Sequence, residues 1–175
     1  MNKAVIARTG FIKVAPKGTP LPLVRPTAAK PLDAAFVDLG YMNTTGFTLT
    51  QTLNSVSTKF WQEDAELTFA SGGSWALDFE IAEFNDETLP IILDANKGAN
   101  GVYKVGTKDP AEVSMYIEFT RGSETRGIVI EDARLTSKGA MNFIATDKTV
   151  IPATFGLNNG QEILEGSPFW FFDAA

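Results

Sequence analysis

Between Ser74 and Phe84 the chain reads SWALDFEIAEF, with Trp75, Leu77, Phe79 and Ile81 at every second position and Asp78 and Glu80 between them. A period of two is the signature of a strand that buries one face and shows water the other. The same alternation returns in EVSMYIEFT, where Val113, Met115, Ile117 and Phe119 share a parity, and β-rich text continues in FVDLGYM, GFTLTQT, AELTFA, RGIVIEDARL, MNFIATD and TVIPATFG. These runs are bounded by Gly, Asn, Ser or Asp, as strands are. About eight or nine strands are expected. Ser71-Gly72-Gly73-Ser74 reads as a hairpin turn between two of them, and Asn159-Gly160 as a late hairpin signal.

One short helix is expected over TLPIILD, with Asn85 as N-cap, Asp86 and Glu87 in the first turn, and Pro90 shortening or distorting it. Runs of strands with a single helix predict a mainly β fold, a sandwich or partial barrel with the helix packed on its side. A strand is also expected over Thr9 to Val14. Five of the nine prolines, Pro16, Pro20, Pro22, Pro26 and Pro31, crowd the next stretch. They forbid helix and central strand, so residues 14–33 read as an extended arm. The chain thus divides into a segment 1–33 ending in the arm, a β domain over 34–160, and an aromatic C-terminal segment, 161–175.

Chemistry is bounded by two absences. The 175 residues contain no cysteine and no histidine, which removes thiolate nucleophiles, disulfides, the Ser-His-Asp triad and the commonest zinc ligand. No cofactor is expected. A net charge of −6 disfavours a static grip on nucleic acid. The opening MNKAVIARTG has an apolar run of four residues, too short for a signal peptide, and no stretch is long enough for a membrane-spanning helix.

Asp78 and Glu80, with Glu83 nearby, are the candidates for acid–base work. Neighbours on one strand face lie about 6.6 Å apart, near the lower limit of the ~6.5–9.5 Å that an inverting glycosidase uses. Carboxylates alternating with a core face are more often a solvated wall. Asp94-Ala95-Asn96-Lys97-Gly98-Ala99-Asn100 has the look of a calcium loop, but Ala99 stands where an EF-hand places glycine and Val105 where it places its last acid, so a plain turn is expected. Phe169, Trp170, Phe171 and Phe172 are consecutive, which requires cover on both faces of a strand, from the helix or from another subunit. Leu21, Leu23 and Val24 among the prolines give the arm apolar contacts of the same ambiguity. All seven are candidate subunit contacts, and a chain cut at residue 31 is expected to keep a folded core that fails to stack.

The order FVDLGYMNTTGFTLTQT, FWQEDAELTFAS, SWALDFEIAEFNDETLPIIL and RGIVIEDARLTSKGAMNFIATDKTVIPATFG, spanning Phe36 to Gly156, resembles the major tail proteins of long-tailed, siphovirus-type bacteriophages. The resemblance implies a tail-tube fold, a β-sandwich with a flanking helix, self-assembled as hexameric rings that stack into a hollow tube. Through it double-stranded DNA would pass during ejection without specific binding. It implies a virion protein assembled in the host cytoplasm, with tape-measure, tail-terminator and baseplate proteins as partners. The family's long loop that touches the adjacent ring corresponds to Leu53, Asn54, Ser55, Val56, Ser57, Thr58, Lys59, Phe60, Trp61, Gln62, Glu63 and Asp64.

An acidic or neutral wall suits such a conduit, because phosphate-gripping cations would make each step of the DNA costly. Thr48, Thr50, Thr52, Glu66 and Thr68 are the lumen-facing candidates, since they alternate with apolar neighbours. The alternatives are a carbohydrate-binding or adhesive β-sandwich using Trp61, Trp75 or Trp170 as a stacking platform, and a hydrolase using Asp78 and Glu80.

Overall fold

The computed structural model describes residues 9–59, 66–83, 86–106, 109–121, 124–139, 149–158 and 169–173. Among them are ten strands and one helix: β1 (Thr9–Pro16), β2 (Val37–Asp38), β3 (Met42–Lys59), β4 (Glu66–Ile81), α1 (Thr88–Leu93), β5 (Ala95–Lys97), β6 (Tyr103–Val105), β7 (Glu112–Arg121), β8 (Glu124–Lys138), β9 (Ile151–Leu157) and β10 (Phe169–Asp173). The fold is mainly β, as the alternation predicts.

Eight strands form one antiparallel sheet in the order β2-β1-β7-β8-β9-β4-β3, with β10 also paired to β8. β8 is the hub. One of its edges carries β7, and the other is shared: β10 pairs with Arg126 to Ile130 and β9 with Ala133 to Lys138. The sheet therefore draws β1 from the N-terminal segment and β10 from the C-terminal one.

The sheet curls into a half-barrel. β2 and β3 stand at opposite ends of the strand order, yet only Leu39, Gly40 and Tyr41 separate them in the chain. Curling is what brings these edges together, and the Phe47 and Phe119 rings meet 5.9 Å apart across the concavity. Odd positions of β4 and β7 point inward: Leu77, Phe79, Ile81, Val113, Met115 and Ile117 join Ile12, Val14, Ile128, Ile130, Ile151 and Phe155 in the main core. At about 1.5–3 kcal/mol for each large apolar side chain buried, this cluster is the chief stabilising element.

Ser71 to Ser74 is not a turn. AELTFA and SWALDFEI are two parts of one sixteen-residue strand. Leu53 pairs with Gly73 and Ser55 with Ala70, so one residue of β3, Asn54, opposes two of β4, Ser71 and Gly72, a bulge. Gly73 is needed for close approach rather than for a left-handed turn, since a Cβ there would lie 2.8 Å from the Thr52 carbonyl oxygen. The glycine signal was real, but a bulge uses glycine as a turn does.

The helix falls where expected, with Pro90 as its third residue. There the missing N–H is one of those with no partner inside a helix, so proline ends nothing. Ile92 is buried in the core, and Glu87 is the N-cap residue, while Asn85 lies outside the described residues. The calcium-like stretch is the β5–β6 hairpin, closed through Gly98 and Val102. Asp86 accepts hydrogen bonds from Lys97 and Tyr103, which ties the hairpin to the start of α1.

Candidate functional site: the outer wall and its two extended segments

The convex face of the sheet has a covered half and a bare half. On the covered half, Tyr116, Val129, Ala15 and Phe36 form a second buried cluster, with Phe11, Leu21 and Leu32 packed on it. Its cover is the proline-rich segment itself. Lys17 begins it, donating to Glu112 at 2.9 Å and Asp132 at 2.7 Å; these hydrogen bonds hold the Lys17 amine above its ordinary pKa. Arg25 reaches Glu118 at 3.2 Å. Burial, and then the hydrogen bond to Glu118, push the Tyr116 phenol upward, so it stays a neutral donor. An ion pair as exposed as Arg25–Glu118 contributes about 0.2–1 kcal/mol, against about 2–3 kcal/mol for burying a phenylalanine. Phe36 is the principal anchor, and the charges set the register of the arm.

Of the arm's three candidate contacts, Leu21 packs on the chain's own second cluster, whereas Leu23 and Val24 remain exposed. β1 lies inside the wall, paired along its whole length with β7. A cut at residue 31 would therefore remove a structural strand, because the arm and the wall are parts of one segment.

The bare half is the outer face of β3, β4 and β9. Thr48, Thr50 and Thr52 are exposed there, opposite Asp78, Ala76 and Ser74. The Thr154 hydroxyl donates to Asp78 at 2.6 Å, and the Asn43 amide donates to Glu80. A shallow cleft of about 270 Å³ runs between Thr45, Gly46 and Thr48 on one side and Pro152, Ala153 and Thr154 on the other, floored by Asp78, Phe79 and Glu80. No lysine or arginine lines it. Both carboxylates are half-buried and hydrogen-bonded to neutral groups, which makes a polar wall.

Glu66 and Thr68 belong to a different region. They pair with Lys59 and Ser57, beyond the bulge. The bulge shifts the register by one residue between them and the stretch that pairs with Thr48, Thr50 and Thr52.

Residues 53–59 are strand, not loop. The β3–β4 hairpin continues as a ribbon of Leu53 to Lys59 against Glu66 to Gly73, and among the described residues no further strand pairs with either edge. Its β-branched and hydroxyl-rich text, LNSVSTK, favours an extended chain, which is why pairing persists. Leu53 is 65% exposed and Val56 52%. Phe60, Trp61, Gln62, Glu63 and Asp64 lie outside the described residues. The backbone of Phe169 to Phe172 forms β10 on β8; the side chains of these four, Trp170 included, lie outside the described part. Trp75 is partly buried against the core, which leaves it unsuited to a sugar platform.

One device that the sequence did not single out is the seam at Asp38 to Tyr41. The Asp38 carboxylate accepts from Gly40 N–H at 2.8 Å and the Glu83 carboxylate from Tyr41 N–H at 3.0 Å. Leu39 N–H bonds to the Ile12 carbonyl at 3.0 Å, and Tyr41 accepts from Ala82 N–H at 2.7 Å. Thus this segment sews β1 to the end of β4. Gly40 has φ +78°, and a side chain there would collide with the Glu83 carboxylate. The signal was D-x-G, an aspartate able to form an Asx turn before a left-handed glycine.

A family model described as phage tail tube protein matches residues 1–165. The chain belongs to the phage tail tube protein family. Its relatives build structure and do not catalyse, so Asp78 and Glu80 are wall residues of a tail component. No curated protein matches the sequence. Among solved structures, a chain of the anti-feeding prophage baseplate, 6-fold symmetrised, is similar at TM-score 0.53 and 10% identity, covering 98% of this chain and 97% of that one. A chain of an extracellular contractile injection system, the PVC sheath–tube complex in its extended state, gives 0.52 and 10%, covering 98% and 93%. At such identity these likenesses concern the fold. The tail tube protein is thus a component of the virion tail, built to self-assemble.

Proposed function

We propose that six copies close into a ring, that rings stack into the tail tube, and that the DNA leaves through the channel between the copies. The observation that carries this reading is the unpaired outer edge of β3. Among the described residues an eighteen-residue strand ends the sheet with nothing paired beyond it. Such an edge invites another chain, and ring closure removes it. The hollow of each half-barrel is filled by its own core, so the channel must form between subunits. The bare face of Thr48, Thr50, Thr52, Asp78, Glu80 and Thr154 suits the channel wall: hydroxyls and carboxylates offer phosphates no cation to release counterions against. Assembly takes place in the host cytoplasm, with tape-measure, tail-terminator and baseplate proteins meeting the tube at its ends and along its bore.

The test is negative-stain electron microscopy of the purified protein across a concentration series. Six-fold rings with a central channel, and tubes at higher concentration, are expected. Separate particles at every concentration, also after addition of an initiator complex, would remove the reading. Within tubes, Thr50→Lys is expected to leave assembly intact while slowing DNA passage in reconstituted virions.

A further inference from the structure

The arm does not seal the sheet it lies on. Between Pro26, Pro31 and Leu32 of the arm and the outward side chains of β1 and β7 a cleft of about 350 Å³ stays open. Its floor is the Phe11 and Tyr116 rings, with centroids 5.9 Å apart. Small-ligand sites occupy about 300–1,000 Å³. The rim is built in advance: Thr27 and Lys30 exchange backbone hydrogen bonds at 2.9 and 3.1 Å around Ala28 and Ala29, and the prolines on either side fix φ. Three charged residues line the cleft, Lys13, Arg25 and Glu118. Glu118 is committed, since its Oε2 accepts from the Tyr116 hydroxyl at 2.5 Å and its Oε1 from Arg25 at 3.2 Å. The cations are not. Arg25 gives Glu118 one of its five N–H groups. The Lys13 ammonium stands 5.4 Å from the Phe11 ring centroid, with no carboxylate in ion-pair reach among the described residues. Two acids lie outside the cleft and serve backbone groups: Asp38, opposite Lys13 on β2, accepts from Gly40 N–H at 2.8 Å, and Asp33 from Ala35 N–H at 2.9 Å.

We infer that this cleft is a binding site for a peptide segment of another protein in which an acidic residue stands beside an aromatic one. The ring of the ligand stacks on Phe11 and Tyr116, and its carboxylate meets Lys13 and Arg25. Spare donors over an aromatic floor, with both oxygens of the cleft's own carboxylate engaged, select a ligand rich in acceptors. Two cations less one anion leave a single positive charge, which matches a carboxylate better than a doubly charged phosphate. A neutral sugar fits less well, because its hydroxyls need acceptors and Glu118 is taken. Because its walls are preformed, the cleft binds without the cost of ordering them. Inward residues of β1 and β7, Ile12 and Ile117, share the main core with Leu77, Phe79 and Phe155 of β4 and β9. The outer faces of these two halves therefore point away from each other, and the cleft opens on the side opposite the bare face. A partner reaches it from outside any channel that the bare face lines.

The experiment is saturation-transfer NMR on the full chain with two probes, acetyl-Phe-Asp-amide and its neutral counterpart acetyl-Phe-Asn-amide. The acidic probe is expected to bind with a Kd of about 1 mM, and the neutral one about tenfold more weakly, the difference of one charge-assisted contact. Lys13→Met with Arg25→Gln should bring the two probes to the same weak binding. Lys13→Arg with Arg25→Lys, which keeps both charges, should retain the preference for the acidic probe. Circular dichroism and urea unfolding of each variant show that the sheet is kept. Equal binding of both probes by the wild-type chain would overturn the ligand class. An undiminished preference in the Lys13→Met, Arg25→Gln chain would overturn the site. Binding of N-acetylglucosamine where neither peptide binds would give the cleft to a sugar and overturn the inference as well. None of these results depends on tube formation, so the tube reading stands or falls separately by electron microscopy.

Discussion

Two extended segments leave the wall of this protein, and they have opposite fates. The proline-rich arm turns back and lies on its own sheet, held by Phe36, Leu21 and Leu32 and registered by Lys17 and Arg25. The β3–β4 ribbon extends away with Leu53 and Val56 in water. In the sequence both read as apolar residues scattered among polar or proline-rich text. The difference teaches that such a pattern announces a need for cover without saying which chain supplies it.

The comparison breaks most sharply at Phe36. Phe36→Ala is expected to destabilise the free protomer by about 3 kcal/mol in urea unfolding, the usual cost of emptying a buried aromatic site. Leu53→Ala, by contrast, should stay within about 0.5 kcal/mol of wild type, because an exposed side chain loses little. Equal effects at both sites would erase the distinction between arm and ribbon.

Gly73→Val tests the root of the ribbon. The added Cβ would press on the Thr52 carbonyl and Leu53, so a loss of about 1–2 kcal/mol is expected, visible as a lowered urea midpoint. Hydrogen exchange sharpens the same boundary. Amides of 75–81 should be protected to the level of global unfolding, whereas those of 53–57 should exchange through local opening in the protomer and slow down in tubes. Uniform protection across both halves would mean the ribbon is stable by itself.

The smallest effect concerns Lys17. Its amine is held above the ordinary lysine pKa by Asp132 and Glu112, so the folded state binds the proton more tightly than the unfolded chain. Docking of the arm should be fully present below about 10.5 and weaken as pH climbs through the raised folded value. Exchange of the arm amides against pH measures this, and Lys17→Met should flatten the profile.

Much of the fold was legible because burial on one face of a strand leaves a period of two. SWALDFEI and EVSMYIEF declared their inner faces, and TLPIIL its helix. The bulge was not legible, since Gly72-Gly73 satisfies a turn and a bulge alike. Of the loop assigned to Leu53–Asp64, Leu53–Lys59 proved to be strand for a related reason: β-branched text pairs wherever a partner strand is offered, core or no core. The seam at Asp38–Tyr41 showed its turn chemistry in D-L-G, while its acceptors, Ile12 and Glu83, are distant in the chain.

By itself, then, the sequence determined what is local or compositional: strands, the helix, and an acidic chain without cysteine or histidine. Only the tertiary structure decided which segment covers which. That the arm is covered at home and the ribbon is not depends on where a curled sheet brings Glu112, Asp132 and Tyr116, residues about a hundred positions from the arm they hold. Contacts of that separation arise from the packing of the whole sheet, and no local pattern of residues encodes them.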